Sequence, residues 1–399
     1  MSLLKDQTAL ISLRPFFRFL LPASFFLAVI PVFAQHPLDF AAGKAIFDKN
    51  WVFAPASTGA SDGLGPFFNA RSCNACHPDG NRGANSTALV VHLNDLVYGQ
   101  QIQKFTRPGV PAEALIDLNW PDNAETKPLL PVAVSLLDLE YGPLTSPALS
   151  LRIAPPVHGL GLLESIPESV IESLSDAKDA DGDGISGQVN LLPDGKLGRF
   201  GWKASQPSLF DQVGRALSLD MGLGNPHLPD PHGDCTLPQA DCRKTTEGNN
   251  ADNLEVSQEV FDLLVSYVRK IPAPPQVNLT AGESVGQNLF LDAGCGSCHL
   301  PKIKFNGHEI HPYTDLLLHD MGLGLADELE EGAAAGNEWR TPPLWGLDPS
   351  HGNFLHDGRA RNLREAILWH GGEANAARQA FQELNEKEQS DLIDFLSRL

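Results

Sequence analysis

A chain of 399 residues has room for two ordinary domains, and with 42% apolar residues it can bury a core. Its 49 acidic residues outweigh 29 basic ones, and the resulting charge of −20 repels phosphate, which argues against nucleic acid as a partner. The charge reads as solubility, or as a surface for a basic partner. With 36 glycines and 31 prolines, the sequence promises much loop and little strand.

The chain opens with an export signal. Lys5, Arg14 and Arg18 precede an apolar run at 19–34, and Val32-Phe33-Ala34 offers a cleavage site before Gln35. The run contains Pro22 and Pro31 and falls short of the roughly 20 residues a membrane span needs. A retained anchor is the alternative. The expectation is a cleaved signal at 1–34, a periplasmic protein, and no membrane span after cleavage.

The first motif is Cys73-Asn74-Ala75-Cys76-His77. Next, Asp179, Asp181 and Asp183 stand at positions 1, 3 and 5 of a loop with Gly184 at position 6, the oxygen-ligand pattern for calcium. Ile185 offers its carbonyl at position 7, and Asn190 takes position 12 in place of the usual Glu. An acidic surface turn is the alternative. Cys235 and Cys242, close together in a polar stretch, read as a disulfide in an exported chain. The pentapeptide Asp-Met-Gly-Leu-Gly occurs at 220–224 and again at 320–324, and its repetition suggests a duplication.

Apolar spacing over 256–270 predicts a helix with Ser257 as N-cap, closed by the proline-rich linker 271–275. A short helix at 280–292 leads into the second motif, Cys295-Gly296-Ser297-Cys298-His299. Asn385 and Glu388 form a capping box for a terminal helix with Leu392, Phe395, Leu396 and Leu399 on one face. The expected fold is mainly α: two cytochrome c-like haem domains with long loops. The N-terminal domain covers 35–271 with the calcium loop as an insertion, and the C-terminal domain covers 272–399.

C-x-x-C-H has a geometric reason. The two cysteines add to the vinyl groups of one haem, and the adjacent histidine reaches its iron. A zinc site wants four ligands per metal, and a reactive dithiol wants a β-α-β context; neither explains the histidine twice. Two covalently bound haems c are expected. The ligand on the far side of each iron decides between carrying electrons and binding an oxidant. Met221, Met321, His92, His319 and His370 are the candidates; each Met alternatively fills a core gap.

Several stretches resemble the bacterial dihaem cytochrome c peroxidase superfamily, which includes the haem enzymes of methylamine-dehydrogenase maturation, and within it the dihaem oxidoreductases labelled peroxidase or thiol oxidoreductase-like. They are 152–156 (RIAPP) continuing to 161–164, 198–204 (GRFGWKA), 315–322 (DLLLHDMG), 338–346 (EWRTPPLWG) and 355–374 (LHDGRARNLREAILWHGGEA). The resemblance implies a reactive N-terminal haem fed by the C-terminal haem through a tryptophan, which Trp202 matches. It implies a distal-pocket glutamine at Gln212 and an acid at Asp220, here Asp where the superfamily has Glu. An amide that orients peroxide and a carboxylate that moves its proton make chemical sense together. His92 stands near the place of a displaceable histidine, in a stretch that fits a strand equally well. His370 matches the distal ligand of the C-terminal haem and competes with Met321. Thr341 and Pro343 match positions that lend backbone oxygens to a second calcium between the haem domains.

The reading is therefore a periplasmic dihaem oxidoreductase of peroxidase type, with a small redox protein as donor and peroxide or another small oxidant as acceptor. The alternatives are an electron carrier without substrate chemistry, or an oxidase of a partner protein.

Overall fold

The helices begin where the sequence supplies caps. In the computed structural model, which describes residues 37–59, 61–83, 86–120, 129–248, 252–275 and 279–399, Ser257 accepts a hydrogen bond from Val260 N and opens helix Gln258–Lys270. Thr280 and Glu283 form a capping box on Ala281–Asp292, and Asn385 and Glu388 form another on Glu386–Leu396. Each supplies partners for backbone N–H groups that a helix start leaves bare. The export-signal reading lies outside the described residues. Among those residues no helix is long and apolar enough to cross a membrane.

The expectation of a mainly α fold is overturned. Helix accounts for 31% and strand for 15%, which makes the class mixed α/β. Strand Leu89–Asp95 pairs antiparallel with Gly99–Ile102 on one side and Ser150–Ile153 on the other. Leu115–Asn119 and Ala133–Leu137 form a separate pair. The reason lies in length and range. Most strands run two to five residues, too short to show a period of two. Their partners are distant: Leu89 faces Ile153 and Val91 faces Leu151.

The two Asp-Met-Gly-Leu-Gly copies occupy different structures. The first closes helix Leu209–Met221, with Gly222 at φ +64° as its left-handed cap. The second follows strand Leu318–Asp320, with Gly322 at φ +72°. What they share is a left-handed turn after the methionine, a conformation glycine adopts freely.

Two apolar cores flank the site. One gathers Phe47, Leu163, Leu217, Leu264 and Val268 with Leu317 and Trp345 from far along the chain. The other joins Leu89, Val91 and Ile153 of the sheet to Trp202, Phe290, Trp339 and Phe395. Lys203 is fully buried beside Trp202. It donates to the carbonyls of Ala335, Gly336 and Glu338 and pairs with Asp327 at 3.1 Å, which satisfies the charge where water cannot reach. The Cys235–Cys242 disulfide is formed.

Candidate functional site

Each C-x-x-C-H segment folds into one tight turn. Ser72 caps the first, its hydroxyl accepting from Ala75 N, and His77 N donates to Cys73 O at 2.9 Å. Gly294, at φ +84°, opens the second, and His299 N donates to Cys295 O at 3.0 Å. Both cysteines and the histidine of each motif line a common cavity. The first cavity, at His77, encloses about 220 Å³ and the second, at His299, about 360 Å³.

The histidines are prepared as ligands. His77 Nδ1 bonds Pro155 O at 2.7 Å and His299 Nδ1 bonds Tyr313 O at 2.9 Å. Each bond fixes the ring and leaves Nε2 unpartnered among the described residues, the arrangement of a metal-ligating imidazole. Burial pushes both down to about 4, so both rings are neutral at pH 7. The thiols are not activated. Burial pushes Cys73 up to about 12 and Cys76 and Cys295 up to about 11, so these thiols are protonated at pH 7. Neutral thiols at an apolar cavity edge beside a free imidazole nitrogen fit the edge and axial face of a haem.

The far walls differ. The second cavity is lined by His370, Met321, Leu363, Ile367 and Leu396. His370 Nδ1 bonds Ala366 O at 2.7 Å, so it repeats the arrangement of His299. Burial lowers its basicity as well. His319 also lines this cavity, but both its ring nitrogens are engaged, with Asp315 at 2.8 Å and Glu373 at 2.7 Å. Against the cost of burial, hydrogen bonds to Asp315, Cys298 and Glu373 push it up to about 12. Both His319 nitrogens are thus taken up by carboxylates, whereas His370 keeps a ring nitrogen free toward the cavity among the described residues.

The first cavity also gathers polar groups. Strand Leu89–Asp95 brings His92, whose Nε2 lies 3.4 Å from Gln101 Nε2 across the strand pair. Helix Leu209–Met221 brings Gln212, Asp220 and Met221. Burial pushes the Asp220 carboxyl up to about 6, moderated by the Gln101 amide and by Lys104 and Arg215. Three lining residues, Arg215, Arg152 and Glu331, had no role assigned from the sequence. Arg152 forms ion pairs with Glu331 and, at 3.3 Å, with Asp327. Four residues line both cavities: Arg82, Trp202, Arg340 and Pro342. Trp202 donates its indole N–H to Ile153 O at 2.8 Å, and the Arg82 guanidinium lies 5.5 Å over its ring.

Asp179, Asp181 and Asp183 converge, with carboxylate oxygens within 4.8 Å of one another. Asn190 does not join them. It begins a strand, and its buried amide donates to Lys203 O and Glu331 O and accepts from Ala333 N. The Thr341 carbonyl already accepts from Thr314 and Arg340, which leaves it poorly placed to hold a cation. Pro343 lines the first cavity.

The profile of the family described as "Di-haem oxidoreductase, putative peroxidase" matches residues 146–399. The chain belongs to this family. Haem is thus the cofactor of this di-haem oxidoreductase. No curated protein matches the sequence. Among solved structures, Kuenenia stuttgartiensis hydrazine synthase, pressurised with 20 bar xenon, is 16% identical, covering 99% of this chain and 100% of that one at a TM-score of 0.35. A MauG-like protein associated with microbial copper homeostasis is 15% identical, covering 59% and 90% at a TM-score of 0.30.

Proposed function

We propose that this di-haem oxidoreductase is a periplasmic c-type peroxidase. Electrons from a small redox protein enter at the haem bonded through Cys295 and Cys298, pass Trp202, and reduce a small peroxide at the haem bonded through Cys73 and Cys76. The observation that carries the reading is the asymmetry of the far walls. The second cavity offers a histidine, His370, held by a backbone carbonyl as His299 is; the first offers the Gln212 amide and the raised Asp220 carboxyl, and both hold guanidinium groups.

Bound haem supplies an iron that passes single electrons and, where a coordination position is open, takes a small oxidant. The protein supplies the rest. His299 and His370, held by backbone carbonyls, line their cavity as a pair of neutral imidazoles that would both ligate a haem iron there; Met321 lines the same cavity. Reduction of hydrogen peroxide breaks the O–O bond and consumes two electrons and two protons to give two waters. Asp220, titrating near 6, is suited to hold and return a proton between the two oxygens. Gln212 orients the molecule, and Met221 packs behind it. Asp179, Asp181 and Asp183, with the Ile185 carbonyl, hold a calcium ion of modest affinity.

Visible and EPR spectra of the oxidised and half-reduced protein test the reading. High-spin iron at one haem and peroxide consumption with an artificial donor are expected. Two low-spin haems indifferent to peroxide would leave an electron carrier in its place.

A further inference from the structure

Helix Leu209–Met221 carries two groups into the first cavity that the fold does not use. Gln212 and Arg215 lie one turn apart, so they share a face, and both line the cavity. Gln212 Oε1 is buried without a hydrogen-bond partner. The Arg215 guanidinium makes no hydrogen bond and no ion pair among the described residues; only the more distant charges of Glu331, Asp234 and Asp220 offset it.

The other cavity-lining arginines are held by protein. Arg82 donates to Asn353 O and Leu355 O, and Arg340 to Gly201 O and Thr341 O. Arg152 is paired with Glu331 and Asp327, and Arg378 bonds Asn375. The carboxylates near Arg215 also have other partners: Asp220 accepts from the Gln101 amide. Glu331 binds Arg152, and Asp234 accepts from Gln100 N and Gln101 N. Leaving a buried acceptor such as Gln212 Oε1 unmet is costly, and unmet groups of a native site await a partner.

An unmet donor and an unmet acceptor one helical turn apart call for a small molecule that both accepts and donates. We infer that Arg215 and Gln212 form a two-point cradle for a small hydroperoxide, Arg215 donating to one of its oxygens and Gln212 Oε1 accepting its O–H. The inference rests on the peroxidase reading and adds Arg215 to it as a catalytic residue. For ROOH, with R hydrogen or a small alkyl group, two electrons from the haems and two protons give ROH and water. Negative charge gathers on the departing oxygen as the O–O bond lengthens, and a guanidinium beside it lowers that barrier.

The test uses the mature protein with both haems and the variants Arg215→Ala and Arg215→Lys, each first shown to carry two haems by pyridine haemochrome. Optical titration with fluoride, which accepts but does not react, reads the donor directly; stopped-flow mixing with hydrogen peroxide reads catalysis. Arg215→Ala should lower the peroxide rate constant by on the order of 10²–10³ and weaken fluoride severalfold, and Arg215→Lys should recover part of both. Unchanged fluoride affinity and unchanged rate in Arg215→Ala would overturn the inference. A shift only in the reduction potential of that haem would also overturn it, because Arg215 would then serve a haem propionate. If wild type consumes no peroxide but fluoride binding still depends on Arg215, the peroxidase reading falls while Arg215 keeps its place at the ligand.

Discussion

The two cavities begin alike and diverge at the far wall. Each has a C-x-x-C-H turn, a neutral histidine fixed by a backbone carbonyl, and an Asp-Met-Gly turn beside it. The second is further lined by His370, just past helix Leu363–Leu368, and by aliphatic side chains together with Arg378 and Glu373. The first is faced by His92, Gln212, Arg215 and Asp220. In the proposed function, equivalent attachment with unequal surroundings separates an electron store from a reaction site: the far side of the iron, more than its attachment, sets the chemistry.

The sharpest way to break that comparison is to remove the closing group. His370→Ala should open the second cavity, convert one of the two haems of the oxidised protein from low to high spin in EPR, and let it bind cyanide. His370→Met should keep it low-spin with a raised potential, since thioether ligation favours the reduced iron. Unaltered spectra in both variants would leave Met321 as the ligand, and the second wall would then differ less from the first.

Trp202 tests whether the cavities communicate, with a smaller expected effect. It lies in the wall both share. Trp202→Phe should slow electron transfer between the haems after flash or stopped-flow reduction, while fluoride affinity at the first cavity stays put. The lost bond to Ile153 O will cost about 1–3 kcal/mol of stability, which a melting curve separates from the kinetic effect. An unchanged interhaem rate would exclude Trp202 from the route.

How much of this was legible in the sequence follows from range. The haem turns, the caps at Ser257, Thr280 and Asn385, and the Cys235–Cys242 pair depend on residues within eight positions of one another, and spacing alone reveals them. The sheet escaped because Leu89 finds its partner at Ile153. Asn190 was misplaced because a twelve-residue template ignores the strand that begins there. Arg215 left a signal that went unread: it stands three residues after Gln212 in a helix whose buried residues are mostly apolar. Arg152 stood in the RIAPP stretch at 152–156 but without a role of its own, and Glu331 left no signal, since their pairing spans 179 positions.

The smallest expected effect concerns the acidic loop, which touches only the second cavity. Asp183 and Ile185 line it. The next residue, Ser186, donates through its backbone N at 3.1 Å and its hydroxyl at 2.7 Å to Glu373, the carboxylate that also holds His319. Three carboxylates this close repel one another without a cation. Calcium at a hundred times its Kd would stabilise the fold by about 2.7 kcal/mol, a few degrees in a chain of this size. Chelation, or Asp181→Ala, should lower Tm by that amount and perturb the spectrum of the His299 haem alone. A perturbation shared equally by the His77 haem would mean that the loop acts on the whole molecule, and a Tm indifferent to calcium would reduce it to an acidic turn.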